Sequence, residues 1–150
     1  IVTAREYYGE FKGTTSSQVI TGTGNATSNV TVKSGTIASS SAFTIIDTVD
    51  IGTSTNPQNT LVEYLIQVYQ QNSNGSWTDN YQSQKLLYSH RGTNFLNDML
   101  LQDYAIMLKS NKVVDFFVQA SGTGQHQIFA NKASGISGAV YYKFTKTTLA

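Results

Sequence analysis

The stretch TLVEYLIQVYQQ, residues 60–71, alternates apolar and polar side chains with a period of two. Successive side chains of a β-strand point to opposite faces of a sheet, so one face of this strand would be continuously apolar. That face carries Val62, Tyr64, Ile66 and Val68. The pattern predicts a strand with one face buried in a core.

A turn and a returning strand follow directly. In the segment NSNGSW, residues 72–77, Asn74 and Gly75 are the residue types that supply the positive backbone φ of a tight hairpin. Residues 81–90 would form the second strand and pair with the first. The two segments together predict an antiparallel β-hairpin.

Similar alternation recurs along the rest of the chain. It predicts strands at residues 19–23, 29–33, 36–51, 104–108, 114–120, 127–131 and 139–146. In the strand at 36–51, Phe43, Ile45 and Asp47 would share one face. About eight strands at this spacing predict an all-β chain, folded as an antiparallel β-sandwich or jelly roll.

One stretch has helical spacing instead. Phe95 with Met99, and Leu96 with Leu100, lie four residues apart behind a Thr93 or Asn94 that could cap a helix. This pattern predicts one short helix near residues 94–101.

The first 35 residues are richer in Gly, Ser and Thr than in apolar residues. They predict a polar connector or N-terminal strands, followed by a β-sandwich head domain at 36–150. Because the chain opens on Ile1 without a methionine, we expect a fragment or a processed product.

Composition excludes several classes of function. The chain has 35 Ser and Thr but no Cys, so disulfides, iron–sulfur clusters and thiolate zinc sites are excluded. Only 13% of residues are charged and the net charge is +1. No basic stripe for nucleic acid and no apolar run of about 18 residues for membrane insertion is present. A weakly charged surface favours burial in an oligomer.

The residues that catalysis or metal binding would need are scarce. His90 and His126 are the two histidines, and neither lies in a nucleophile motif, so both are interpreted as surface or loop residues. Asp47 and Asp50, three apart on a strand, would point to opposite faces and are interpreted as solvated carboxylates. We expect a protein that is not an enzyme and has no catalytic residue, metal site or cofactor.

The strongest candidate for a ligand site surrounds the single tryptophan. An aromatic face that stacks on a sugar ring, beside amides and a carboxylate that bind its hydroxyls, is the usual composition of a carbohydrate site. The candidate residues beside the turn, where Asn72 also lies, are Trp77, Tyr81, Asn74, Asp79 and Asn80. The structural alternative is a tryptophan that caps one end of the core.

Paired aromatic residues point to assembly. Adjacent residues of a strand face opposite sides, so Phe116–Phe117 and Tyr141–Tyr142 each put one ring in the core and one outside. Outward rings on a weakly charged sheet favour contact with another subunit.

The polar opening, the cysteine-free alternating strands and the closing segment ASGISGAVYYKFTK, residues 133–146, resemble the distal head of a bacteriophage tail fibre or virion spike. The resemblance covers residues 36–150 and carries over no site residue. It implies a homotrimer on the virion surface, beside other virion proteins, that attaches to a host cell-surface glycan or protein. Two alternatives remain: a virion decoration, collar or capsid protein without a receptor site, and a monomeric carbohydrate-binding module or adhesin.

Overall fold

The computed structural model describes residues 17–21, 27–53, 58–91, 99–121 and 124–149. Nine strands and no helix lie in these residues, which confirms the predicted all-β antiparallel sandwich. The strands are β1 (Ser17–Thr21), β2 (Thr27–Ile37), β3 (Phe43–Asp50), β4 (Thr60–Gln71), β5 (Trp77–His90), β6 (Met99–Leu108), β7 (Val114–Ala120), β8 (Gln125–Lys132) and β9 (Val140–Leu149). In this part of the chain, no helix is long and apolar enough to cross a membrane.

The strands form two antiparallel sheets. The larger has the order β1-β2-β9-β4-β5-β6, and the smaller has the order β3-β8-β7. The predicted inner face of β4 is confirmed, because Val62, Tyr64, Ile66 and Val68 are all buried. The core lies between the sheets, where β9 also buries Val140, Tyr142 and Phe144 as predicted.

The β4–β5 hairpin is confirmed, with one correction in its turn. Gly75 has the predicted positive φ, at 83°, but Asn74 does not have a positive φ. The Asn74 side chain stabilises the turn in another way, because its Oδ1 accepts hydrogen bonds from the backbone N–H and the hydroxyl of Ser76, at 3.0 and 2.7 Å.

The helix expected near residues 94–101 is wrong for residues 99–101, which begin β6; residues 94–98 lie outside the described residues. Met99 pairs with His90 and Leu101 with Tyr88, so the ladder to β5 fixes these residues as a strand. An apolar spacing of four is also even, and it therefore satisfies the period of a strand as well as that of a helix.

A β-bulge in β3 overturns another part of the prediction. Ile45 pairs with Phe129 and Asp47 with the next residue, Ile128, so Ile46 is an extra residue in the ladder. Phe43 and Ile45 are consequently exposed, at 55% and 43%, whereas Asp47 turns into the core. The expectation that the three share one face is wrong for Asp47.

Strand β2 crosses the proposed boundary between residues 35 and 36. It pairs with β9 over ten residues, from Ser28 opposite Leu149 to Ile37 opposite Val140. The division into 1–35 and 36–150 stays a prediction, and residues 1–16 and 22–26 lie outside the described residues.

Candidate functional site

Trp77 lies on the outer face of the six-stranded sheet, at the end where β4 turns into β5. Directly opposed residues of antiparallel strands share a face. The register opposes Tyr69 to Tyr81 and to Tyr141, and Gln71 to Trp77. The β4–β5 hairpin and the distant strand β9 therefore bring four aromatic side chains to one patch.

Three of these rings are in mutual contact, and we call Tyr69, Trp77 and Tyr141 the aromatic cluster. The ring centroid of Trp77 lies 5.3 Å from that of Tyr69 and 5.2 Å from that of Tyr141. The two tyrosine rings are nearly parallel, at 6.0 Å. Trp77 is nevertheless 59% exposed, so its indole is held from the side while much of its surface faces solvent. It does not cap the core.

The other predicted site residues divide into two groups. Tyr81 is 44% exposed beside the aromatic cluster, and Asp79 is exposed between Trp77 and Tyr81. Asn74 holds the turn, as described above, and the amide of Asn80 binds neighbouring segments. Its Nδ2 donates to Gln70 Oε1 at 2.9 Å, and its Oδ1 accepts from the backbone N–H of Asn111 at 3.3 Å.

Hydrogen bonds between loops hold this end of the sandwich together. We call the loops at 38–42, 72–76, 109–113 and 133–139 the loop end. Gln70 Nε2 donates to the carbonyl oxygen of Ser137 at 2.7 Å. Lys132 Nζ donates to the carbonyl oxygens of Ala38, Ser39 and Gly138, at 2.7–3.2 Å. Partial burial lowers the pKa of Lys132. These hydrogen bonds fix the positions of the loops beside the aromatic cluster.

Charge is sparse around the aromatic cluster. In the sequence from Tyr69 to Tyr81, Asp79 is the one ionisable acid or base other than the tyrosines, and residues 34–42 and 133–140 contain none. Lys143 follows two residues after Tyr141 on β9. The backbone N–H of Lys109, directly after β6, donates to the carbonyl oxygen of Tyr81 at 3.0 Å. The patch therefore combines exposed aromatic surface with the Asp79 carboxylate, and Lys143 and Lys109 lie at its margin.

The interpretation of Asp47 as a solvated carboxylate is wrong. It is 3% exposed and joins the two sheets, because Lys33 and Lys146 each donate to it at 2.6 Å and the Tyr64 hydroxyl donates at 2.8 Å. Desolvation alone would raise the pKa of Asp47, but hydrogen bonds from Lys146 and Lys33 outweigh it and lower the pKa below its ordinary value. Burial, followed by the Asp47 charge, raises the pKa of Tyr64.

The interpretation of the histidines as surface or loop residues is also wrong. His90 and His126 are 2% and 0% exposed, and their ring centroids lie 5.1 Å apart. His90 Nδ1 lies 2.8 Å from the carbonyl oxygen of Gln58, and His126 Nδ1 lies 2.7 Å from the Tyr88 hydroxyl. Both rings therefore belong to the core. Within the described ranges, no group of three His, Asp or Glu could hold a metal ion.

The outer face of the larger sheet also exposes apolar side chains beyond the aromatic cluster, between polar ones such as Glu63 and Lys143. Near its middle, a groove of about 410 Å³ is lined in part by Val32, Leu65 and Met107. Towards the end remote from Trp77 lie four exposed leucines, which we call the leucine patch: Leu61, Leu87, Leu100 and Leu149. On the smaller sheet, Phe43 and Phe117 are exposed and both contact the Phe129 ring.

No protein-family model matches the chain, and no curated protein matches it. Among solved structures, the chain is similar to the tailspike protein of Acinetobacter baumannii phage AM24, with a TM-score of 0.48 and 12% sequence identity. The match covers 81% of this chain and 26% of the tailspike chain. What this chain binds therefore has to follow from the geometry of its own side chains.

Proposed function

We propose that this protein is the head of a virion fibre or spike, which attaches to the host cell surface as a homotrimer without catalysing a reaction. The observation that carries the proposal is the division of one sheet face. One end of that face is a leucine patch, and the other is an exposed aromatic cluster beside fixed loops. The first end suits assembly and the second suits recognition.

Assembly is assigned to the leucine patch because monomeric proteins rarely leave a large contiguous apolar surface in water. Leu61 and Leu149 are directly opposed on β4 and β9, and Leu87 lies on the neighbouring strand β5. Packing these side chains about a threefold axis would remove them from solvent. Glu63, which is directly opposite Leu87, accepts a hydrogen bond from Tyr104 and lies 3.8 Å from Lys85, so its charge already has partners within the chain.

Recognition is assigned to the loop end because it is far enough away to remain open in the trimer. Leu61 and Tyr69 are eight residues apart on β4, or ~27 Å at ~3.4 Å per residue. Three copies of a weak site on one rigid head would bind a repetitive cell surface by avidity, which can exceed single-site affinity ~100- to 10,000-fold.

The molar mass in solution, measured by light scattering after gel filtration, tests the assembly. We expect a species of three 16.4 kDa chains. A Leu61→Glu, Leu87→Glu double variant should be monomeric, because it would bury two charges per subunit. The matched control is Phe117→Glu on the outer face of the smaller sheet. It should stay trimeric, because we assign the subunit contact to the leucine patch and not, as the paired aromatic residues predicted, to the outward ring of Phe117. A monomeric wild-type chain would overturn the assembly and favour the monomeric carbohydrate-binding module.

Adhesion of the fluorescently labelled protein to a panel of bacterial strains tests the attachment. We expect saturable binding to at least one strain, and its loss in the monomeric double variant because avidity is lost. A trimer that binds no strain, but coats virions that lack it, would favour the decoration or collar protein instead.

A further inference from the structure

We infer that the aromatic cluster, with Asp79 and Tyr81 beside it, is a binding site for a neutral hexopyranose unit of a cell-surface polysaccharide. The inference rests on the proposed attachment function for its biological setting. The sugar unit would bind at a site centred on Tyr69, Trp77 and Tyr141.

Stacking on Trp77 supplies the apolar part of the recognition. The C–H face of a pyranose ring is flat and apolar, and an exposed indole offers a surface of matching size. Tyr69 and Tyr141 contact the indole at 5.3 and 5.2 Å with interplanar angles of 55° and 61°. Because these contacts hold the indole in place before a ligand arrives, little side-chain freedom is lost on binding.

The charge around the cluster selects for a neutral sugar. Asp79 can accept hydrogen bonds from sugar hydroxyls, and charge-assisted hydrogen bonds of this kind are stronger than neutral ones. A uronic or sialic acid would bring a second negative charge towards Asp79, which is the one ionisable acid or base other than the tyrosines from Tyr69 to Tyr81. Lys143 and Lys109 lie at the margin of the cluster, on β9 and directly after β6. The neutral unit is therefore preferred over an acidic one.

The position within the sheet argues against a peptide ligand. Peptides that add to a sheet need an unpaired strand edge. At Tyr69, β4 is paired on both sides, with β5 through Tyr81 and with β9 through Tyr141. The backbone N–H and C=O groups of β4 at this point are already hydrogen-bonded to the neighbouring strands. A ligand can therefore contact only side chains here.

Trp77 is the single tryptophan of the chain, so its fluorescence reports on this site and no other. The experiment titrates the wild-type protein with oligomers of glucose, galactose and N-acetylglucosamine, with oligogalacturonate as the acidic counterpart and a proline decapeptide as the peptide counterpart. We expect a saturable change in emission with at least one neutral oligomer. Its affinity should exceed that of oligogalacturonate by about tenfold, or about 1.4 kcal/mol.

Calorimetric titration of variants with the same neutral oligomer completes the test. Trp77→Ala should lower the affinity by at least about tenfold, whereas Trp77→Phe should retain part of it. Phe117→Ala, which removes an exposed ring from the other sheet, is the matched control and should bind as wild type. The inference is overturned by unchanged binding in Trp77→Ala, by preference for the acidic oligomer or the decapeptide, or by no saturable response to any neutral oligomer.

The outcomes separate this inference from the proposed function. If the trimer adheres to cells and Trp77→Ala adheres equally well, the sugar site is wrong and attachment stands. If the neutral oligomer binds through Trp77 but no strain is bound by the trimer, the site stands and the attachment function is wrong.

Discussion

Asp47 is a charged residue inside the core, and its contacts come from three strands of the opposite sheet. Removing its charge while keeping its shape, as in Asp47→Asn, leaves Lys146 and Lys33 without their anion. Breaking a buried ion pair from one side costs about 3–5 kcal/mol. Because the Lys33 side chain is 46% exposed and is screened by solvent, we expect the lower end, about 3 kcal/mol, from urea unfolding at pH 7.

Asp115 provides the matched control for that substitution. It also forms an ion pair, with Lys112, but both side chains are about half exposed. Surface pairs of this kind contribute about 0–1 kcal/mol, so Asp115→Asn should unfold within about 0.5 kcal/mol of wild type. Equal losses in the two variants would contradict a special role for Asp47.

The lowered pKa of Asp47 also predicts how stability depends on pH. A carboxyl group whose folded pKa lies below its unfolded pKa binds fewer protons when folded, so its contribution is present above the ordinary value of 3.8. That contribution is lost as the pH falls from 3.8 through the folded pKa. Thermal unfolding midpoints between pH 7 and pH 2 should therefore fall less steeply below pH 4 in Asp47→Asn than in wild type. Parallel curves would contradict the prediction.

The loop between β8 and β9 reaches the β4–β5 hairpin through a glycine that cannot be replaced without strain. Gly138 has a φ of 79°, and a Cβ added there would overlap the backbone carbonyl oxygen of Gln71, the residue opposite Trp77. Gly135, in the same loop, has a φ of 83° but open space around a Cβ. Substituting each glycine by alanine therefore separates the cost of a positive φ, present at both positions, from the cost of a steric overlap, present only at Gly138.

We expect Gly135→Ala to lower the free energy of unfolding by about 1–2 kcal/mol, which is the cost of a left-handed backbone with a side chain. Gly138→Ala should lose about 1–3 kcal/mol more, because its Cβ overpacks against β4. Its Trp77 emission should shift as well, since Gln71 would move. Urea unfolding followed by fluorescence measures both quantities, and indistinguishable variants would rule out the close contact.

The strands with strict alternation could be predicted from the sequence because the ladder that joins β4 to β9 runs without a register shift. β4 and β9 keep a period of two, and their inner faces are as predicted. The prediction that Phe43, Ile45 and Asp47 share one face of β3 fails because a single extra residue, Ile46, reverses the alternation, and nothing in its type marks it as bulged. A bulge is decided by the partner strand, here β8, which lies about 80 residues away in sequence.

The same limit applies to the candidate site. Trp77 and Tyr81 could be found because they lie beside a turn that is visible in the sequence. The contact between Tyr69 and Tyr141 could not be predicted, because it depends on the pairing of β4 with β9, which the sequence does not show. Asp47 and the two histidines were misassigned because their partners are distant in sequence, and a polar residue with no partner nearby in the sequence is read as solvent-exposed.

The chain has a low fraction of charged residues and exposes apolar side chains on the outer faces of both sheets, so its assembly should depend little on salt. At 1 M salt the screening length falls to about 3 Å, which removes most surface attraction, whereas apolar contacts persist and sulfate strengthens them. The charged groups near the leucine patch include Arg91, which lines a shallow pocket with Leu61 and Leu149. They also include Glu63, which accepts a hydrogen bond from Tyr104 and lies 3.8 Å from Lys85.

We expect the dissociation constant of the trimer, measured by analytical ultracentrifugation, to change by less than about threefold between 0.05 and 1 M NaCl, because screening acts on charges and not on leucines. Ammonium sulfate should tighten the trimer. Glu63→Gln should behave as wild type at every salt concentration, whereas the Leu61→Glu, Leu87→Glu variant should stay monomeric throughout. A trimer that dissociates in 1 M NaCl, or in Glu63→Gln, would mean that the ion pair and not the leucine patch holds the subunits together.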